Sequence, residues 1–193
     1  KRFREYSKKY LAKNVEYFSF LRPLYEIQIA KLFSKYPRYF PAFISCNRAF
    51  QTNSGRKKPI KKWCGKCPKC LFVFTTLYSF VDEKELIKIF GKNLFEKKEL
   101  LKTALELIGE KKFKPLECVG TKKESLLAFY LDWKKHREPF SIYLPFLLKY
   151  FGERILPKYS NLRLERNAER IMKSWNNQNN LPKDFEKILK KNL

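Results

Sequence analysis

Three cysteines, Cys64, Cys67 and Cys70, each separated from the next by two residues, constrain this chain more than any other feature. That spacing puts three thiols within two short turns, and Gly65 lets the backbone fold tightly enough for amides to point at sulfur. Three soft ligands leave one corner of a tetrahedron open, and Cys46 is the natural fourth thiol. A set of four cysteines is a closed structural zinc site, with sulfur about 2.3 Å from the ion. Thiolates also hold iron–sulfur clusters, so spacing leaves that alternative open. Such dense clustering argues against ordinary unpaired core cysteines. Cys118 lies apart, between Pro115 and Gly120, and reads either as a small buried apolar residue or as a reactive thiol.

Five cysteines arranged this way do not resemble a secreted disulfide framework, and metal binding in a reducing, cytoplasmic compartment is expected. The longest apolar run, Leu71 to Val81, is far below the roughly 20 residues of a membrane span, so it reads as a buried helix. Lys and Arg total 43 against 19 Asp and Glu, a formal charge of +24. Scattered lysines make a solvated surface; the functional alternative is a polyanionic partner, such as a nucleotide, a nucleic acid or a phosphorylated metabolite. At 44% hydrophobic and 17% aromatic, the chain has enough apolar material for a core.

The fold class expected is mainly α, with few or short strands. Residues 1–13 carry basic and aromatic residues at helical spacing, and Glu16 to Leu24 reads as extended. Pro23 is placed in the first turn of a helix running from about Leu24 to Tyr36. Pro37 and Pro41 bracket a strand-like piece, Tyr39 to Ile44. Residues 51–62 form a polar basic loop, and a helix starts at Pro68. Further helices are expected at about 83–90, 96–108, 122–136, 140–151, 161–176 and 182–191. Gly91, Gly109 and Gly152 each follow a helical run, the usual place for a left-handed C-terminal glycine. The chain divides into residues 1–152 and a more polar helical extension, 153–193. It opens at Lys1 with a helix-like pattern already under way, and is expected to be a piece of a longer protein.

The single histidine, His136, sits in a charged helix and reads as a surface residue. No two-histidine metal motif, serine-type triad or Walker-type glycine loop can be assembled.

Three stretches in order are distinctive: Glu16-Tyr-Phe-Ser-Phe-Leu-Arg-Pro-Leu-Tyr-Glu-Ile-Gln-Ile-Ala, Ser45-Cys-Asn-Arg-Ala-Phe and Trp63-Cys-Gly-Lys-Cys-Pro-Lys-Cys-Leu-Phe-Val-Phe. Ile89-Phe-Gly-Lys-Asn-Leu and Lys114-Pro-Leu-Glu-Cys-Val-Gly-Thr follow. This series, over about residues 14–130, resembles the C-terminal part of the UDP-N-acetylmuramoyl-L-alanyl-L-glutamate epimerases. Its cysteine portion also resembles the zinc-binding end of the 7-cyano-7-deazaguanine synthases, within the ATP-pyrophosphatase (PP-loop) superfamily of α/β enzymes.

The resemblance implies a cytoplasmic role in peptidoglycan precursor synthesis. The terminal L-glutamate of UDP-MurNAc-L-Ala-L-Glu is inverted to D-glutamate, with ATP and magnesium consumed and AMP and pyrophosphate released. The superfamily's Ser-Gly-Gly-x-Asp-Ser phosphate loop does not occur in these residues, so the piece alone is expected to be inactive. The resemblance also raises Cys118 as a candidate catalytic thiol, with Glu117 and Glu124 as candidate partners. Arg22, Asn47 and Arg48 lie inside the matching stretches and are candidates for holding phosphate or carboxylate groups. Two alternatives remain: a basic four-cysteine zinc module that binds nucleic acid, and a PP-loop enzyme acting on tRNA or a deazaguanine precursor.

Overall fold

In the computed structural model, residues 2–50, 62–137 and 143–193 are described. Among them the regular structure is helical throughout, with no strand. The α-helices are α1 (Arg2–Tyr6), α2 (Glu26–Ser34), α3 (Pro68–Tyr78), α4 (Glu83–Phe90), α5 (Leu101–Ile108), α6 (Lys122–Arg137), α7 (Phe146–Tyr150), α8 (Asn161–Met172) and α9 (Lys183–Asn192). The polar loop expected at 51–62 lies outside the described residues except at Lys62.

The organising element is α3. It starts where expected, with Pro68 in its first turn, where a missing N–H costs nothing. Every residue from Cys70 to Tyr78 is buried. A helix apolar on all sides must be surrounded, and α2, α4, α5 and α6 pack around this one. Ring contacts carry the core outward: Phe74 meets Phe90 and Phe95 edge-on, Phe95 meets Phe129, and Phe129 stacks on Phe151. Burying each such side chain contributes about 1.5–3 kcal/mol.

Two helix ends follow from local chemistry. Gly91 and Gly109 close α4 and α5 in the left-handed conformation, with φ of 79° and 89°. Gly152 does not act this way. It lies inside a π-helical turn, Phe151–Ile155, where a Cβ would stand 2.4 Å from Trp133 Nε1. Glycine is there because the Trp133 indole lies against the backbone.

Other boundaries shift for identifiable reasons. The Tyr39–Ile44 piece is not strand-like; Pro37–Ala42 is a 3₁₀ helix, whose φ values suit both prolines. Pro23 lies outside α2, which is capped by Tyr25, and its carbonyl accepts the Asn176 amide at 2.9 Å. The helix expected over 96–108 is broken by two 3₁₀ turns, Leu94–Glu96 and Lys98–Leu100, with extended Lys97 between them. The expected 161–176 helix ends at Met172.

The last forty residues are tied back to the front of the chain. Buried Gln28 donates to the Met172 and Ser174 carbonyls, and Phe18 and Phe20 both meet Phe185. Leu164, Ala168 and Ile171 of α8 join the core.

Candidate metal centre

Four sulfur atoms converge at the start of α3. Those of Cys46, Cys64, Cys67 and Cys70 all lie within 4.8 Å of one another. Individual separations are 3.4 Å for Cys67–Cys70, 3.6 Å for Cys64–Cys70 and 3.9 Å for Cys46–Cys67. A tetrahedral ion with bonds of about 2.3 Å has ligand atoms roughly 3.8 Å apart, so these distances fit one ion. Thiolates divided among several irons stand farther apart. Cys46, Cys67 and Cys70 are fully buried and Cys64 partly so, and all four are free thiols.

Local backbone chemistry builds the knuckle. Gly65 adopts φ 60°, the left-handed region that favours glycine, and an added Cβ would stand 3.3 Å from a Leu94 methyl. Amides of Lys66 and Cys70 point at the sulfurs of Cys64 and Cys67, both at 3.4 Å. The buried Lys97 donates its ammonium to the Gly65 carbonyl at 2.6 Å and pairs with Glu99 at 3.3 Å. The break in the helix thus leaves an extended residue at 97 whose ammonium reaches the backbone between Cys64 and Cys67. No local signal in the sequence marks Lys97 for this task.

The thiols share their protons unequally. The hydrogen-bonded contact between the Cys67 and Cys70 sulfurs, helped by the Cys70 amide, holds Cys67 down at about 6. The same contact, together with burial, pushes Cys70 far up, and burial raises Cys64. Crowded sulfurs cannot all ionise without a cation, and a divalent ion removes that penalty.

The residues singled out for substrate chemistry divide into two groups around the loop 114–121. On the thiol side, Glu117 Oε2 accepts the backbone amide of Lys69 at 3.1 Å and the side-chain amide of Asn47 at 3.4 Å. The Lys69 ammonium bonds the Cys118 carbonyl at 2.5 Å. Cys118 is exposed, which rules out its reading as a buried apolar residue. Arg48 is exposed beside Asn47.

On the other side, Glu124 is buried and both its oxygens are occupied. Oε2 accepts the Thr121 amide at 2.8 Å, while the Thr121 hydroxyl accepts the Glu124 amide at 3.1 Å. Oε1 accepts the Glu26 amide at 2.8 Å. The Thr121-x-x-Glu124 signature of a capping box was the available signal for this arrangement. An open basin of about 720 Å³ adjoins the loop, with Tyr25, Lys114, Gly120, Lys122, Lys123 and Glu124 among its walls. Arg22, exposed on the turn before α2, is not among them.

His136 is half-buried, not a free surface residue. Its ring meets Tyr78 edge-on and its Nε2 is buried without a partner among the described residues. The helix behind the thiols is also unsuited to reading bases, since its face is buried from Cys70 to Tyr78. No helix among the described residues is long and apolar enough to cross a membrane.

Residues 42–140 match the family described as the MurL C-terminal domain. A protein of Xanthomonas oryzae pv. oryzae, called UDP-N-acetyl-alpha-D-muramoyl-L-alanyl-L-glutamate epimerase, is 39% identical over 138 residues, covering 69% of this chain and 30% of that protein. Relatives with the same name from a Micromonospora species and Salinispora tropica are 39% and 38% identical over 115 residues, 60% of this chain and 25% and 24% of theirs. The chain thus matches less than a third of the length of these curated relatives. No solved structure matches it.

Proposed function

The chain belongs to the MurL C-terminal domain family, and on that premise we propose that it is the metal-bearing helical part of an ATP-dependent epimerase. The substrate is UDP-MurNAc-L-Ala-L-Glu, whose terminal glutamate is inverted from L to D during peptidoglycan precursor synthesis. The observation that carries the reading is 39% identity over 138 residues to a protein named as an epimerase of that substrate.

The reaction has a physical logic. Removing the α-proton beside a free carboxylate would build a second negative charge on it. Attack of that carboxylate on the α-phosphate of magnesium-bound ATP expels pyrophosphate and gives an acyl adenylate, whose enolate is accessible. A base then takes the proton from one face and an acid returns one to the other. Water cleaves the anhydride after inversion, releasing AMP and restoring the carboxylate. The ATP-binding loop is assigned to a PP-loop portion that these residues do not include.

Within this chain, Cys118 is proposed as a proton-transfer thiol, supported by its exposure. Glu117 and Glu124 hold its loop from opposite sides. Arg22, Asn47 and Arg48 are proposed to hold acidic groups of the substrate, Arg by its bidentate fork. Lys114, Lys122 and Lys123 beside the basin suit a substrate rich in phosphate and carboxylate.

Zinc is the ion proposed for Cys46, Cys64, Cys67 and Cys70. Four thiolates would fill its tetrahedron, so it supplies a structural cross-link and leaves no position for substrate. The separations of 3.4–3.9 Å between sulfurs support one ion over an iron–sulfur cluster.

Incubating the full-length gene product with ATP, magnesium and UDP-MurNAc-L-Ala-L-Glu tests the reading. D-glutamate in the hydrolysed product, with AMP and pyrophosphate released, is expected; an all-L product would end it. Residues 1–193 alone are expected to be inactive.

A further inference from the structure

The loop that carries Cys118 is fastened to both halves of the four-cysteine knuckle, and Glu117 is the fastener. Its Oε2 accepts the amide of Lys69, the residue before Cys70, at 3.1 Å. The same oxygen accepts the side-chain amide of Asn47, the residue after Cys46, at 3.4 Å. One atom therefore reaches both segments that an ion would draw together, although they lie more than twenty positions apart in the chain. Lys69 completes the connection from the other direction, donating its ammonium to the Cys118 carbonyl. A fourth bond, from the Lys114 ammonium to the Val119 carbonyl at 3.2 Å, ties the loop to itself.

We infer that Glu117 is a positioning residue that couples metal occupancy of the four cysteines to the placement of the Cys118 loop. The inference rests on the metal reading of the thiol cluster and is independent of which substrate the protein takes. Its physical basis is simple. With an ion bound, Cys46 and the start of α3 are locked together, and the Asn47 and Lys69 donors converge on one carboxylate oxygen. Without the ion, like-charged or protonated sulfurs no longer hold the segments in register, and the carboxylate has only one donor at a time. The loop then loses its anchor, and the exposed thiol at 118 loses its fixed position.

The coupling is read by hydrogen exchange over residues 114–121 and by peptide-resolved alkylation of Cys118 with iodoacetamide. Both are measured on the 193-residue chain with zinc bound and after chelation. In the unsubstituted protein, chelation is expected to speed loop exchange about tenfold, the size expected for losing one charge-assisted hydrogen bond. Glu117→Ala is expected to exchange at that faster rate with its zinc still bound, and chelation should then add little. Glu117→Gln keeps an acceptor oxygen without the charge and is expected to restore part of the protection.

Zinc-loaded Glu117→Ala with an unchanged loop and an unchanged Cys118 rate would overturn the inference while leaving the metal reading intact. A chain that takes up no metal would remove the metal reading and the coupling with it. Because the key comparison is made on zinc-loaded variants, unfolding of the chelated protein does not obscure it.

Discussion

The buried carboxylate of Glu124 accepts the amide of Glu26, ninety-eight positions away, at 2.8 Å, so one side chain closes the starts of two helices. It also closes the capping box of its own helix through Thr121. The Glu26 amide at the start of α2 and the Thr121 and Glu124 amides at the start of α6 are thereby satisfied by side chains.

Glu124→Ala is therefore expected to destabilise the protein by about 2–4 kcal/mol, since two charge-assisted bonds are lost at a buried site. Glu124→Gln, which retains one acceptor oxygen, should lose about half as much. Denaturant midpoints measure both. A loss within about 0.5 kcal/mol for the alanine variant, typical of a surface substitution, would show that the double cap does not matter.

Removing a ligand sulfur should cost the ion. Cys46→Ser and Cys70→Ser are expected to drop bound zinc well below one per chain, by metal analysis after dialysis. Stability should fall in parallel, by about 4 kcal/mol where free zinc exceeds the dissociation constant a thousandfold. Cys118→Ser lies outside the cluster and should leave metal content unchanged.

Metal retention should fail as pH falls. Cys64 and Cys70 are raised, so each releases a proton when an ion enters, whereas Cys67, near 6, is largely ionised at neutral pH. Protons and metal compete for the same sulfurs, and affinity should rise with pH until the raised thiols ionise unaided. Zinc loading in weak buffer should acidify the solution. Loading without proton release would contradict the sharing of protons described here.

Asp132 gives a separate pH dependence. It is fully buried and accepts a hydrogen bond from the Ser79 hydroxyl, while its Oδ2 has no partner among the described residues. Burial pushes its carboxyl well above the ordinary range, against the smaller opposing pull of the Ser79 bond and Lys135. The folded state thus holds a proton that the unfolded chain releases near pH 4. Stability from this group is full below that pH and is lost as pH rises towards the folded value. Asp132→Asn should gain on the unsubstituted protein with rising pH, by at most about 1.4 kcal/mol per unit. A difference that does not change between pH 4 and 8 would refute the assignment.

Gly152→Ala tests close packing instead of backbone handedness. The added carbon would stand 2.4 Å from Trp133 Nε1, so the indole must move, at a cost of about 1–3 kcal/mol. Combining it with Trp133→Phe should recover part of that loss, because the clashing atom is gone. Additive losses would argue against the contact.

Features governed by a few neighbouring residues were legible in the sequence. Cys64, Cys67 and Cys70 lie within one short segment, and Pro68 opens α3 as expected. Gly91 and Gly109 end their helices because a left-handed residue there closes orphan carbonyls only a few positions back. The apolar run after the thiols could be read as a buried helix because no side of it is polar. The distinctive cysteine-bearing stretches also carried the family resemblance, since residue identity and order need no coordinates.

What remained was decided by partners far along the chain. Gly152 faces Trp133, Lys97 reaches back to Gly65, and Glu117 meets Asn47 and Lys69. Nothing near these residues announces such contacts, because each exists only after helices pack and bring distant backbones together. Local torsional and capping preferences act over about one helical turn and are written into residue order. Burial and hydrogen bonding across the core depend on how α2, α3 and α6 meet, so only the tertiary structure could choose those pairs.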